Sequence, residues 1–587
     1  FIPLLFMEGV VGRLFREFAE TLTAAVLVSM VISLTLTPMM CALVLRPHAR
    51  PGLVARWVES GFERMRRGYG RMLAVTLRHQ GLTLLVALGT VLLTGWLYMV
   101  IPKGFLPAQD NGLIQITTEA PQDASYARVA ALQQRLAEVV RQDPAVASVA
   151  VTAGAGATNP AQNTGRIIVV LRPRDERDAT AQQVIARLQP RLNAVPGGIA
   201  YPVAVQDIQI GARLSTTQYQ YTMTDSDAQR LGLWAPRVVD RFRRIPGLRD
   251  VASDQRDDGI RIAIQVDRDK ASRLGVSMAS VANALYDNFG QRQISTIYGQ
   301  SNQYRVVLEA ADPVRSDPNM IGQIRVTGSS TSTGAADSDT TTTTSAEVPL
   351  AEIASFARTR APLLVTRENQ FPAVTISFNL EEGMSLGQAV EAIHAAEAEI
   401  GLPDTVQGRF GGDVAEFNTS LAGQPWLILA AIIVIYITLG VLYESLIHPV
   451  TILSTLPSAG IGALLALELW GLDLSVVGLI GIILLMGIVK KNGIMVIDFA
   501  LEAQRERGMS PHDAVVEACL LRFRPIMMTT AAALLGALPL VLSSGIGAEL
   551  RLPLGVSIVG GLLLSQLITL FTTPAVYLAM ERLRAMV

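Results

Sequence analysis

The feature that most constrains this chain is a set of seven apolar runs, each about as long as a bilayer is thick. A hydrocarbon core about 30 Å thick needs roughly 20 apolar residues in a helix, and such runs occur only towards the two ends of the sequence. They cover Leu22–Leu45, Leu82–Ile101, Trp426–Leu446, Val450–Leu469, Leu474–Ala500, Ile526–Leu542 and Leu552–Met580. The sequence therefore predicts a polytopic α-helical membrane protein with a large extramembrane region in its middle.

Composition agrees with this prediction and excludes other classes. Of the 587 residues, 50% are apolar and 17% are charged, against about 25% charged in soluble domains. The net charge is −1 without a basic stripe, so nucleic acid is not an expected partner. Cys41 and Cys519 lie far apart, and no disulfide framework is expected. Because Phe1 opens a stretch typical of the interior of a membrane protein, without a signal peptide, we expect upstream residues to be missing.

Positive charges in the connections predict the orientation. Lys and Arg close to a span stay on the cytoplasmic side, and arginines crowd the connection 46–80, the connection after the fifth run and the C-terminus. The block between Pro102 and Gln424 then lies on the outer face. Within 46–80, apolar residues recur at helical spacing among the arginines, which predicts an amphipathic helix on the inner leaflet; a solvated linker helix is the alternative.

The outer block repeats one pattern of strands and helices. Residues 103–207 follow the order β-α-β-β-α-β of the split ferredoxin-like unit. Residues 208–258 and 370–424 form a second such unit, interrupted by an insertion over 259–369. The predicted elements are strands at 112–118, 146–152, 166–171, 199–205, 219–223, 248–253, 373–378 and 405–411, and helices at 125–141, 179–192, 228–244 and 386–399. The tract Gly328–Ser345 is too polar to bury apolar surface, which predicts a disordered, lengthened hairpin loop.

Enzyme motifs are absent from the sequence. It contains no phosphate loop with Gly-Lys-Ser/Thr, no His-Glu-x-x-His and no Gly-x-Ser-x-Gly. Its five histidines are scattered, which predicts no metal cluster. We therefore expect neither an enzyme nor a cofactor.

Charged residues inside the fifth run point to function. Lys490, Lys491 and Asn492 stand between apolar flanks, and a charge at bilayer depth is by default a functional hypothesis. The two lysines point about 100° apart on a helix, so one of them need not face the bundle. Snorkelling of both to the inner leaflet is the alternative.

The neighbouring run supplies possible partners for a buried lysine. Arg522 and Arg524 precede Pro525, which fits the first turn of a helix, and Thr529 follows. A buried lysine beside threonine hydroxyls is what a proton relay would use, although the arginines alone could be leaflet anchors and the threonines could bond back to their own helix. A relay also needs a deep carboxylate, which we expect upstream of Phe1.

Four segments resemble the resistance-nodulation-cell division (RND) family of proton-driven multidrug efflux pumps, closest to its MdtB/MdtC type. They read FREFAETLTAAVLVSMVISLTLTPMMCALVL, LYESLIHPVTILSTLPSAGIGALLALEL, GIVKKNGIMVIDFALEAQ and RFRPIMMTTAAALLGALPLVL. The resemblance implies the C-terminal part of such a pump, with spans matching the sixth to the twelfth and with Phe1–Gly12 as the end of the fifth span and a short loop. It also implies a bacterial inner-membrane location with a periplasmic block.

The same resemblance assigns roles to particular residues. Lys491, Asn492, Arg522 and Thr529 match the family's proton-relay positions, while the paired aspartates of the family's fourth span have no counterpart. The two split units resemble porter subdomains around a drug cleft, the insertion resembles a docking subdomain, and Gly154 and Gly156 fall in the cleft loop. The implied partners are other RND subunits in a homo- or heterotrimer, a periplasmic adaptor protein, an outer-membrane channel and small-molecule substrates, driven by the proton-motive force without a cofactor.

The substrate class can be narrowed. Residues 146–199 contain no aromatic side chain, whereas multidrug members line this cleft with phenylalanines, so a polar or amphiphilic substrate is favoured. Export of Cu(I) or Ag(I) would need soft ligands, and the outer block has only Met223, Met278, Met320 and Met384 and no cysteine. A non-transporting structural or regulatory subunit is the alternative from a different class.

Overall fold

The computed structural model describes residues 5, 9–44, 53–156, 161–208, 210, 215–332, 342–381 and 383–586. The chain divides into two compact units. The first comprises Phe1–Ala120, Tyr126–Gln255 and Thr366–Val587, and the second comprises Pro121–Ser125 and Arg256–Val365.

The elements follow one another along the chain as helices at both ends and mixed structure between them. The first half contains α1 (Gly9–Val44), α2 (Leu53–Arg78), α3 (Gln80–Val100), β1 (Leu113–Glu119), α4 (Tyr126–Arg141), β2 (Val146–Ala153), β3 (Thr164–Leu171), α5 (Ala181–Asn193), β4 (Ile199–Ala204), β5 (Tyr219–Thr224), α6 (Ala228–Phe242), β6 (Leu248–Ser253), β7 (Gly259–Val266), α7 (Arg268–Arg273), α8 (Met278–Phe289) and β8 (Arg292–Tyr298). The second half contains β9 (Gln303–Leu308), α9 (Asp312–Ser316), β10 (Arg325–Ser332), β11 (Thr342–Pro349), α10 (Leu350–Ile353), β12 (Ala354–Ala361), β13 (Arg367–Glu368), β14 (Phe371–Leu380), α11 (Leu386–Ile400), β15 (Gln407–Gly411), α12 (Gly412–Tyr443), α13 (His448–Leu453), α14 (Leu456–Leu469), α15 (Val476–Arg507), α16 (Pro511–Leu542) and α17 (Ala548–Met586). Short 3₁₀ turns lie at Arg174–Glu176 and Pro318–Gln323.

Seven helices in the described part of the chain are long and apolar enough to cross a bilayer. They are α1, α3, α12, the α13–α14 pair, α15, α16 and α17, and they coincide with the seven apolar runs. Several extend well beyond the apolar residues. Helix α15 has 32 residues, about 48 Å at 1.5 Å per residue, so it outlasts the hydrocarbon layer.

Two predictions about helix ends are wrong. Pro525 does not open a helix, because α16 starts at Pro511 behind a Ser510 cap and carries Pro525 in its interior. The short loop expected at the end of Phe1–Gly12 does not extend to Gly9, where α1 already begins; residues 1–4 and 6–8 lie outside the described part. In both places a polar but helix-compatible sequence continues the helix beyond the apolar run.

The first outer sheet has the strand order β2–β3–β1–β4, with every neighbour antiparallel. Strand β1 alternates between half-buried and buried residues, as expected for one face packed against helices. Helices α4 and α5 cover that face with buried leucines and valines. A hydrogen-bonded ion pair of 2.5 Å between buried Arg177 and Asp110 ties the start of this sheet to the loop before α5.

The second outer sheet repeats this arrangement from distant parts of the chain. Its order is β6–β14–β5–β15, with the short β13 beside β14. In sequence, β5 and β6 come before the second unit, and β14 and β15 come after it. The sheet is therefore formed by two chain segments that the second unit separates in sequence. Helices α6 and α11 pack on it around the fully buried Tyr221, Phe242 and Phe378.

The described part of the second unit contains four short helices and three two-stranded pairings, β7–β12, β8–β9 and β10–β11. It overlaps the predicted insertion 259–369, with 366–369 belonging to the first unit. The predicted disorder of Gly328–Ser345 is wrong at both ends of the tract, because Ser329 pairs with Ser345 and Ser332 pairs with Thr342. Residues 333–341 lie outside the described part. Backbone pairing satisfies the hydrogen-bonding groups of these polar residues.

The last outer strand passes directly into a membrane helix. β15 ends at Gly411 and α12 begins at Gly412 without an intervening loop. Gly412 has a φ of +56°, and a Cβ there would lie 2.8 Å from the carbonyl oxygen of Ile210. A glycine is therefore required at this turn.

The connecting helix α2 packs against the membrane helices. Tyr69, Leu73 and Leu77 are buried in one apolar cluster with residues of α15, α16 and α17. The Tyr69 hydroxyl donates a 2.8 Å hydrogen bond to the carbonyl of Leu570. The bundle thus covers part of the apolar surface of this amphipathic helix, while Trp57, Met65 and Met72 stay exposed.

Candidate functional site

Helix α15 positions the charged residues singled out by the sequence. Its N-terminus is capped by the Ser475 side chain, which accepts a hydrogen bond from the amide of Gly478, and its C-terminus ends at Gly508 in the left-handed conformation. Lys490 and Lys491 therefore lie near the middle of a continuous helix. Both fall within its first 20 residues, and 20 helical residues are enough to span a bilayer core.

The two lysines differ in their surroundings. Lys490 is half-buried and Lys491 is exposed, as expected for side chains about 100° apart. Neither lysine forms an ion pair with a carboxylate in the part of the chain that the structure describes. Lys491 thus points away from the described helices, and the structure does not bring it into contact with Arg522 or Thr529.

Of the four predicted relay residues, Asn492 makes contacts across helices. Its Nδ2 donates to Gln566 Oε1 on α17 at 3.0 Å and to Thr530 Oγ1 on α16 at 3.3 Å. Thr530 donates to the same Gln566 oxygen at 2.8 Å. Thr530 and Gln566 are 6% and 7% exposed, so three helices share a buried polar contact one residue after Lys491.

Arg522 and Thr529 have local partners instead. The Arg522 guanidinium lies over the ring of Phe499 at 5.0 Å, and its Nε is buried without a hydrogen bond to any described residue. The Thr529 hydroxyl donates to the carbonyl of Ile526 on its own helix at 3.1 Å. This is the back-bonding alternative considered for the threonines.

Sequence reasoning missed Gln566. An amide in the middle of the last apolar run was a visible signal, because polar groups inside membrane helices are usually functional or paired. A cavity of about 20 Å³ lies beside it, lined by Asn492, Gln566 and Thr573 among others. The hydroxyl of Thr573 is buried there with no partner among the described residues, and the space is sufficient for one water molecule.

The predicted cleft loop follows strand β2. Gly154 has a φ of +80°, and its amide donates to the carbonyl of Thr164 at 3.0 Å, closing the β2–β3 connection. A Cβ at Gly154 would lie 3.0 Å from the ring of Tyr126, whereas Gly156 has open space around it. Residues 157–159 of this loop lie outside the described part.

A cavity of about 500 Å³ lies between the two outer sheets and the ends of the membrane helices. Cavities of this size hold drug-sized ligands. Phe105, Tyr219 and Leu552 supply apolar lining, and Arg249 and Glu549 supply charge. Arg249 Nε and Glu549 Oε2 are buried without a hydrogen bond to any described residue.

Ionisable groups beside this cavity are perturbed by burial. Burial raises the pKa of Asp473, which lies in the α14–α15 connection. Burial also raises the pKa of Tyr219, with the carboxylates of Asp413 and Asp473 adding to the effect. The cavity therefore combines apolar surface, a cation and the carboxyl group of Asp473, which takes up a proton more readily than usual. Among the described residues, no group of three or more His, Cys, Asp or Glu side chains could hold a metal ion.

The model of the AcrB/AcrD/AcrF family matches residues 1–581 of this chain. The match includes all seven apolar helices, both outer sheets and the second unit.

Proposed function

The chain belongs to the AcrB/AcrD/AcrF family of RND transporters, and from that premise we propose that it forms part of a proton-driven pump that exports amphiphilic small molecules. The family consists of efflux pumps that are secondary transporters rather than enzymes. We propose proton coupling, export of amphiphilic substrates and membership of the MdtB/MdtC type. The last of these is supported by the four sequence segments that resemble that type.

The observation that carries proton coupling is the buried polar contact beside Lys491. Asn492, Thr530 and Gln566 join three apolar helices at the level of the lysine, and polar groups at this depth are costly to bury and often mark a transport pathway. This contact would hold α15 in one rotation, so that Lys491 faces outward towards acidic partners on another part of the transporter. Arg522, two turns before Thr529 on α16, would support the relay from the inner side.

The observation that carries the substrate class is the cavity of about 500 Å³ below the outer sheets. Apolar lining from Phe105 and Leu552 suits the hydrophobic part of an amphiphile, and Arg249 and Glu549 suit a charged or polar head. Cu(I) or Ag(I) export receives no support here, because Met384 is the only methionine among the lining residues and Met223 is buried in the second sheet.

The outer architecture follows from the same proposal. The strand orders of both sheets suit split ferredoxin-like porter subdomains, the second unit would be the docking subdomain, and the loop with Gly154 and Gly156 would line the cleft. The block would face the periplasm from the inner membrane. AcrB-family members typically form trimers with adaptor and outer-membrane proteins, and we assign this chain to such an assembly as one subunit of a homo- or heterotrimer.

A second candidate function is a structural or regulatory subunit that does not transport. It is favoured by the exposure of Lys491 and by its lack of an ion pair among the residues described. Lys491→Ala in the full-length transporter separates the two functions, with Lys490→Ala as the matched control. Loss of efflux and of proton uptake in Lys491→Ala with normal assembly would support the pump; unchanged efflux would leave the structural role.

A further inference from the structure

A cluster of ionisable side chains lies where α12, α13 and α17 meet at one end of the bundle. His448, the first residue of α13, is 2% exposed, and its Nε2 lies 4.0 Å from Oε1 of Glu581 on α17. The imidazole stacks on Tyr577 with ring centroids 6.1 Å apart and meets the ring of Tyr443 at 6.3 Å. A buried imidazole and a carboxylate thus face each other without a direct hydrogen bond.

Three polar atoms of this cluster are buried without a hydrogen-bond partner among the residues described. They are Nδ1 of His448, Oε1 of Glu581 and the hydroxyl of Tyr443. Buried polar atoms are almost always paired, so each exception calls for an explanation. An unpaired ring nitrogen does not improve the packing of a buried histidine. It does leave a position on the imidazole at which a proton can bind.

The cluster lies at the end of the bundle that carries the arginines. Arg505 on α15 and Arg584 on α17 act electrostatically on His448, and Arg584 also lies 3.7 Å from Glu581. The positive-inside rule places these arginines at the cytoplasmic face. The charged and titratable groups that face His448 or its ring neighbours are Tyr443, Asp498, Arg505, Tyr577, Glu581 and Arg584.

Asp498 connects this cluster with the level of Lys491. The two residues are seven positions apart on α15, which is two turns, or about 10.5 Å, along one face. The Tyr443 hydroxyl lies close to the Asp498 carboxylate. Asp498, Tyr443, His448 and Glu581 therefore form a series of polar side chains from the lysine towards the inner surface.

We propose that His448 and Glu581 form a proton-binding pair at the inner end of the bundle, through which protons leave after passing Lys491. This assignment rests on the proposed function. A proton bound at Nε2 of His448 passes to Oε1 of Glu581 and then to water at the inner face, leaving a neutral imidazole and a carboxylate. Because 4.0 Å exceeds a hydrogen bond, the transfer uses one bridging water or an approach of the two side chains.

The test uses the full-length transporter in proteoliposomes, with the pH at the inner face varied. The variants are His448→Phe, which keeps the stacking on Tyr577, and Glu581→Gln, which keeps the shape of the side chain. His394→Gln is the matched control, because His394 forms an exposed His–Glu pair with Glu397 at 2.8 Å in the outer block. Rates are normalised to the amount of folded protein.

We expect both variants to lower the maximal transport rate at least about fivefold and to flatten its dependence on inner pH, with KM unchanged. His394→Gln should retain the wild-type profile. The proposal is overturned if the inner-pH profile per folded molecule is unchanged in both variants, including when the yield of folded protein falls. If Lys491→Ala abolishes efflux while these variants do not alter the profile, this inference alone fails; if Lys491→Ala is silent, the proposed pump fails.

Discussion

At the scale of single residues, Gln566 is the most informative side chain of the membrane part. Its Oε1 accepts hydrogen bonds from both Asn492 and Thr530, which belong to two other helices. One acceptor therefore satisfies two buried donors. Removing it leaves both donors inside an apolar bundle, where replacement partners are scarce.

Gln566→Leu is expected to lower the stability of the bundle by about 1–2 kcal/mol, because interhelical hydrogen bonds in membranes are worth about that much or somewhat less. The measurement is the thermal midpoint of the detergent-solubilised protein. Thr569→Val is the control, since the equally buried Thr569 hydroxyl bonds only the carbonyl of Ser565 on its own helix. Equal shifts for the two variants would contradict the role given to Gln566.

A second residue-scale prediction concerns Asp225, which is 2% exposed in the second outer sheet. The hydrogen bonds from Arg230, followed by the amide of Asp227, lower the pKa of Asp225 to about 2. The ordinary value is about 3.9, so the folded state gains about 2–3 kcal/mol wherever the carboxylate is ionised in both states. This contribution is present above about pH 4 and is lost as the pH falls from 4 towards 2.

Asp225→Asn should therefore lower the free energy of local opening of α6 by about 2–3 kcal/mol at pH 7. The difference from wild type should shrink as the pH approaches 2. Hydrogen exchange of α6 and β5 measures this opening. Asp240→Asn on the same helix is the control, because its pair with Arg243 is exposed and such pairs contribute little. A difference that stays constant with pH would show that the carboxylate is not the cause.

At the scale of elements, the β15–α12 junction depends on one backbone conformation. Gly412 has a positive φ, and the carbonyl of Ile210 occupies the place of a Cβ. Gly412→Ala should lower stability by about 1–3 kcal/mol through backbone strain and the close contact. Gly423→Ala on the same helix should be neutral or slightly stabilising, because its Cβ would meet open space. Thermal unfolding compares the two; a harmless Gly412→Ala would mean that the junction can readjust.

At the scale of the whole molecule, the orientation in the membrane can be checked directly. Ala395 on α11 and Glu506 on α15 are both exposed and lie at opposite ends of the proposed topology. In a Cys41→Ser background, Ala395→Cys should react with a membrane-impermeant maleimide in spheroplasts, whereas Glu506→Cys should react only after lysis. Cys519 is buried and should stay silent. Reversed labelling would overturn the positive-inside assignment.

The sequence predicts the existence of the seven membrane helices well, because hydropathy over about 20 residues depends on the bilayer and not on neighbours. Helix ends are predicted poorly. Helix α12 begins 14 residues before Trp426 and α15 continues to Arg507, since helical hydrogen bonding continues into water where hydropathy falls. The sequence-based prediction that Pro525 starts a helix fails for this reason, because the helix already begins at Pro511.

The candidate site was only partly predictable. Lys491 and Asn492 stand out because charge and amide groups are rare in apolar runs, but their partners depend on helix rotation and on contacts far apart in the chain. Gln566 lies 74 residues from Asn492. His448 and Glu581 lie on different helices, so scattered histidines in the sequence gave no sign of a shared site. The pattern of a single sequence does not reveal contacts between side chains on different helices.

The direct passage from β15 into α12 has a mechanical consequence. With no loop between the sheet and the membrane helix, a turn of the helix about its axis cannot be absorbed locally and must be transmitted as a rotation of the strand beside β5. In the proposed pump, a rotation of α12 can therefore be passed through the backbone to β15 and its neighbour β5, whose Tyr219 lines the outer cavity.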